Sequence, residues 1–213
     1  RAAARRQLAH GADLIKVMAT GAMLSSESED SRAIQFTPEE LRAAVEIAHD
    51  NFKHVAAHCH ALQGIHNAVD AGADSIEHCT FADDEVLRKM AARGTALVPT
   101  ICAGELLFRD DAVVATMPAH LVERMQAFND VHAAAVRRAH ELGVTIAMGT
   151  DAGTPGNHHG LNAYECVFLV EQCGLSPADS IRTATVHAAG LLRQPDLGVL
   201  REGAHADVIA CRA

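Results

Sequence analysis

The 213-residue chain is long enough for one sizeable core, and with 49% hydrophobic and 21% charged residues it reads as a folded globular protein, not a disordered or fibrous one. A formal net charge of −9 without any Lys/Arg run argues against a nucleic-acid-binding surface, and no apolar run reaches the ~18 residues of a membrane span. Six cysteines with no CxxC pair, and no secretory leader, point away from a disulfide framework or a Cys-ligated zinc and toward reduced thiols in a cytoplasmic protein.

The chain begins as a helix in progress, Arg1 to His10, with no capping residue before it, which reads as a cut from something longer. Leu14 to Ala19 is a strand with Lys16 inside it, followed by a polar loop through Arg32 of a length that tends to be functional. Thr37-Pro38-Glu39-Glu40 is a helix start, and Leu41, Ala44, Val45 and Ala48 follow at helical spacing to about Asn51. Strands are then expected at 54–58, 75–78, 95–100 and 144–148. Helices are expected between them at 63–71, 83–93 and 119–142, most of them closed by a glycine. The stretch 101–118 reads as loop with some helix, two helices follow at 160–172 and 178–192, and the tail holds two short β-like pieces at 198–200 and 206–210.

Strand and helix thus alternate five times over short connections, and the strands are near-continuous apolar runs, so a parallel sheet buried on both faces is expected. Periodicity alone fits a doubly wound sheet or a (β/α)₈ barrel. Polar residues at the C-terminal ends of several strands favour the barrel, which gathers its active site there, and no GxGxxG or GxxxxGK[ST] turn supports the nucleotide-binding alternative.

Those strand ends carry the candidate chemistry. His58 and His60 stand two apart and should share a face, His78 ends the next strand, and Asp151 follows the last one. Neutral imidazoles so placed suit a divalent transition metal such as zinc, and a carboxylate there can bind metal or take a proton. Lys16 is the odd member, since an ammonium inside an apolar strand is costly unless paired or modified. Glu77, by alternation with His78, is expected to point away from the interior as a structural residue. His158 and His159 lie in the loop after Asp151, within reach of the site mouth, while Tyr164 and Glu165 are weak candidates and His187 is read as structural.

Lys16 followed by Gly21, the helix start at Pro38-Glu39-Glu40-Leu41, the HxH at His58, Ile76-Glu77-His78 and Gly149-Thr150-Asp151-Ala152-Gly153 together resemble the amidohydrolase superfamily. The likeness is greatest to its branch of metal-dependent Xaa-Pro and Xaa-Arg dipeptidases, related to imidazolonepropionase and ochratoxinase. The resemblance implies strands four to eight of a partial (β/α)₈ barrel over residues 1–195, and over 196–213 the start of a return to a small β-sandwich domain. It implies one or two divalent metal ions, expected to be zinc, with Lys16 carbamylated by carbon dioxide, His58 and His78 as further ligands, and Asp151 as ligand and general base. His60, and with it His159, would contact a small-molecule substrate, and self-association as a homo-oligomer is implied too. The implied reaction is hydrolysis of an amide or peptide bond of a dipeptide or N-acyl amino acid by a metal-bridging hydroxide. Opening of a cyclic amide, and an inert truncated barrel, are the alternatives. The superfamily's first HxH, two further ligands, has no counterpart before Lys16, so the polypeptide by itself is expected to be inactive.

Overall fold

A computed structural model describes residues 1–22 and 30–210, so most of the polar loop after Gly21 lies outside the described residues. Four parallel strands form the sheet, β1 (Leu14–Met18), β2 (His54–Cys59), β3 (Ser75–His78) and β4 (Ala96–Val98), in the order β1-β2-β3-β4. Each is reached through a helix: α1 (Ala2–Ala9) leads into β1, α2 (Pro38–Asp50) into β2, α3 (Leu62–Ala71) into β3 and α4 (Asp84–Arg93) into β4. This is the expected partial α/β barrel, in which sequential parallel strands are neighbours.

The helix boundaries have local causes. Thr37 caps α2 by accepting from the Glu40 N–H while the Glu40 carboxylate accepts from the Thr37 N–H, a reciprocal box whose loss costs about 1 kcal/mol. Gly72 and Gly94 close α3 and α4 in the left-handed conformation that a side chain adopts only with strain. Leu41, Val45 and Ala48 of α2, Ile65, Ala68 and Val69 of α3, and Val86, Leu87 and Met90 of α4 all join one core.

The strands alternate against that core as far as Glu77. Ile15, Val17, Val55, Ala57, Cys59, Ile76 and Leu97 point outward into the helices and are buried. The register aligns Lys16 with Ala56 and His58 with Glu77, and so places Lys16, His58, Ser75 and Glu77 on the opposite, inner face. Glu77 therefore faces inward, against the sequence expectation, and a 2.7 Å hydrogen bond from Ser75 Oγ and a 3.6 Å pairing with Lys16 Nζ hold it there.

Beyond β4 run α5 (Ile101–Glu105), a 3₁₀ turn (Leu106–Arg109), α6 (Asp111–Val114) and the long α7 (Ala119–Glu141). The segment expected as a strand at 144–148 lies beside β4 as a single parallel bridge between Ile146 and Leu97, with Leu97 bonding to Thr145 O and Ala147. α8 (Ala163–Glu171), α9 (Pro177–Arg182) and α10 (Ala188–Leu191) complete the chain. The single helix expected over 178–192 is interrupted by a π turn at Thr183–His187. There Thr183 O is taken by the Met148 N–H, and His187 Nδ1 donates to Ile146 O. The β-like tail forms no strand: its described residues find no pairing partner, and Leu200, Val208 and Ile209 are exposed. Five cysteines, Cys59, Cys79, Cys102, Cys166 and Cys173, are free thiols, and no helix among the described residues is long and apolar enough to cross a membrane.

Candidate metal centre at the strand ends

Three buried imidazoles meet where β2 and β3 end. One ring nitrogen from each of His58, His60 and His78 lies within 4.8 Å of the others, the group among the described residues fitted to hold a metal ion. His60 stacks on His78 with ring centroids 4.6 Å apart, and both lie edge-on to His58.

Backbone geometry makes this meeting possible. By register His78 is opposite Cys59, whose side chain goes outward into the helices. His78 instead takes a φ of +67° and Cys79 one of +59°, and the Cys79 N–H closes back on Glu77 O at 2.9 Å. This tight three-residue turn of the strained hand swings the His78 imidazole to the inner side. His60, just past the end of β2, is fixed by its N–H on Thr20 Oγ1 at 2.9 Å.

Each ring is held by a second group. His58 Nε2 lies 3.2 Å from Gly21 O, and because a carbonyl only accepts, that nitrogen donates and Nδ1 keeps its lone pair. That Nδ1 is 2.8 Å from His78 Nε2. Thr100 Oγ1 is 2.6 Å from His78 Nδ1, and Thr80 Oγ1 is 2.9 Å from His60 Nδ1. Burial, helped by the neighbouring rings, pushes the His60 imidazole down to about 2 and that of His78 well below its ordinary range. Both are therefore neutral near pH 7, the form that ligates. Converging imidazoles, with His58 Nδ1 turned to His78 Nε2, fit a divalent transition metal.

The other expected site residues fall around this core at different depths. Lys16 stands on the inner face of β1, half-exposed and paired to Glu77. Asp151 is exposed on the turn after Gly149 with φ +52°, so its carboxylate is not among the three converging donors. Its turn nevertheless abuts the site: Gly149 O accepts from the N–H of Thr100, the residue that touches His78. Asn157 braces the turn, its Nδ2 reaching Thr150 O at 2.7 Å and Asp151 O at 3.0 Å. His159 is exposed, with Nε2 over Gly153.

Three contributors escaped the sequence reading or were underweighted in it. Thr100 carries a φ of +58°, unusual for a β-branched residue. Glu165 is fully buried and accepts from the N–H groups of Ile101 and Cys102 at 2.8 and 2.7 Å, so it anchors the start of α5 directly after Thr100. Burial raises its carboxyl to about 7 against the lowering effect of those bonds. His132, on α7, donates from Nε2 to His78 O at 2.8 Å. Its signal was present: it sits in the buried stripe Met125, Asn129, His132, Val136, Ala139, a polar residue at a core position.

Cys59, between the two histidines, takes no part. It is fully buried on the outer face, where burial pushes its thiol up to about 12.

A sequence model of the amidohydrolase family matches residues 1–213. Ochratoxinase of Aspergillus niger is 39% identical over 212 residues, covering 99% of this chain and 43% of the relative. Its crystal structure superposes with a TM-score of 0.83 over 95% of this chain and 45% of that one, at 38% identity. A Xaa-Pro dipeptidase crystallised with methionine in its active site gives a TM-score of 0.85 at 40% identity, over 96% of this chain and 50% of that one. Imidazolonepropionase of Cutibacterium acnes is 29% identical over 150 residues, 70% of this chain and 32% of the relative. The chain thus spans less than half the length of the curated relatives it matches.

Proposed function

The chain belongs to the amidohydrolase family, and on that premise we propose that it forms the metal-binding half of a hydrolase cleaving the C–N bond of a dipeptide or an N-acyl amino acid. The observation that carries the proposal is the convergence of His58, His60 and His78 at the strand ends. The likeness to an ochratoxinase and a Xaa-Pro dipeptidase, both near 40% identity, favours an amide of a small carboxylate-bearing group over a cyclic amide.

In this reading His58 and His78 hold one or two divalent ions, zinc being the expected one, with Lys16 as a carbamate and Asp151 as further ligands. A bound ion of this kind supplies Lewis acidity for the scissile carbonyl and lowers the pKa of water. Carbamylation would replace the Lys16 contact with Glu77 by an oxygen ligand. Asp151, exposed at the mouth, takes the proton from water and delivers it to the leaving nitrogen. His60 and His159 bind substrate. Residues 196–213 are read as the start of a return to a small β-sandwich domain, and the free thiols fit a cytoplasmic setting.

Metal analysis and a hydrolysis screen test this on the protein that carries the whole chain. Lys16→Ala is expected to lose metal and activity together. Asp151→Asn should keep a metal at the histidines and lose at least about 100-fold in kcat on C-terminal-proline or C-terminal-arginine dipeptides or N-acyl amino acids. A folded protein free of metal sinks the reading, as does a metal-loaded one inert on all three classes.

A further inference from the structure

The conformation of His78 raises a question that the three imidazoles do not answer. A positive φ at a non-glycine residue persists only where its surroundings hold it, and the turn at His78 sends its carbonyl out of the strand ladder. One step beyond the last β3–β4 pair, Glu77 with Val98, the residue opposite is Pro99, which has no N–H to offer. The next N–H, of Thr100, is already given to Gly149 O at 3.1 Å. A buried carbonyl left there unmatched would be costly.

His132 supplies the partner from a different element. Its Nε2 donates to His78 O at 2.8 Å and its ring is only 5% exposed. One turn earlier on α7, Phe128 packs edge-on against His132, His60 and Phe81, with centroids 6.3, 5.3 and 5.6 Å apart. The i, i+4 pair Phe128 and His132 thus presents one face of α7 to the strand ends. That face meets the ring of one histidine of the triad and the backbone of another.

We propose that His132 is a positioning residue: by binding His78 O it clamps the left-handed turn that brings the His78 imidazole into the centre with His58 and His60. This rests on the metal-centre reading above, and the clamp makes a claim of its own about the backbone. Released, His78 returns to ordinary strand geometry, its side chain following Cys59 toward the helices, and the centre loses a donor although every donor residue is still present.

Two substitutions separate the clamp from simple packing. His132→Leu fills much of the space without a donor, while His132→Gln places an amide N–H at a similar reach. Cobalt(II) titration should show His132→Leu about 10–100-fold weaker than wild type, the range for loss of an outer partner, with an altered visible d–d band. His132→Gln should restore both toward wild type. Crystal structures of the metal-free variants should show His78 out of the positive-φ region in His132→Leu and within it in His132→Gln. Unchanged cobalt affinity and band in His132→Leu, or a His78 that keeps its φ there, overturns the clamp. If His132→Leu does not fold, His132→Asn, whose amide is one bond shorter, is read in the same way. Wild-type protein that binds no cobalt overturns the metal-centre reading instead, and the clamp is then decided by the crystal structures alone.

Discussion

Among the described residues Glu165 is the one carboxylate whose burial is complete, and its chemistry can be followed in isolation. Its folded-state pKa, about 7, stands above its ordinary 4.5, so the folded chain keeps the proton over a range where the unfolded chain gives it up. The sign follows: its contribution is full below about pH 4.5 and is lost as pH rises through about 7. Urea unfolding in a chelator should show wild type losing up to about 3 kcal/mol relative to Glu165→Gln between pH 4.5 and 8, and parallel pH profiles would contradict this. At the same scale, His58 and His78 are legible as strand-end residues because an apolar run that stops at a polar residue marks a strand end, and Lys16 stands out as a charge inside an apolar strand. Glu77 was misread because alternation was carried one residue too far. The turn at His78 flips the parity there; the burial of its partner, His132, is legible in the stripe of α7, but the pairing of the two across 54 residues is not.

Among the elements, α3 is seated closely against the strand ends. A Cβ on Gly64 would lie 2.2 Å from Thr20 Cγ2, and Thr20 Oγ1 is the acceptor for the His60 N–H. Helix approach and histidine placement are therefore one contact. Gly64→Ala should destabilise by about 1–3 kcal/mol, read as a lower urea midpoint with unchanged slope. A midpoint equal to wild type would show that Thr20 gives way freely. α2, with its capping box, and α4, with its Asp83 cap and closing Gly94, could be placed from sequence because these signals are local. The interruption at Thr183–His187 could not, since it depends on Met148 taking a carbonyl from across the fold. The 144–148 strand was located correctly but is reduced to one bridge.

At the scale of the molecule the parallel order β1-β2-β3-β4 followed from alternation, while the open state of the sheet follows only from its ends. Among the described residues β1 pairs on one side alone, and its inner-face residues Leu14 and Met18 are 40% and 43% exposed. An unprotected edge with apolar neighbours is a template for association. The 213-residue polypeptide should self-associate in sedimentation velocity, and Leu14→Lys with Met18→Lys should shift it toward monomer. An unchanged distribution would place the association elsewhere.

The outward aim of Cys59 has a consequence for which ions such a centre accepts. Strand parity sorts donors by softness: imidazoles gather on the inner face, and the sulfur lying between His58 and His60 in sequence is turned into the helices, its thiol held protonated by burial. Thiolate is the donor that draws soft ions such as monovalent copper. The pleat of β2 withholds it, so at the proposed centre any preference against soft metals would come from the fold of the strand and need no residue set aside to enforce it.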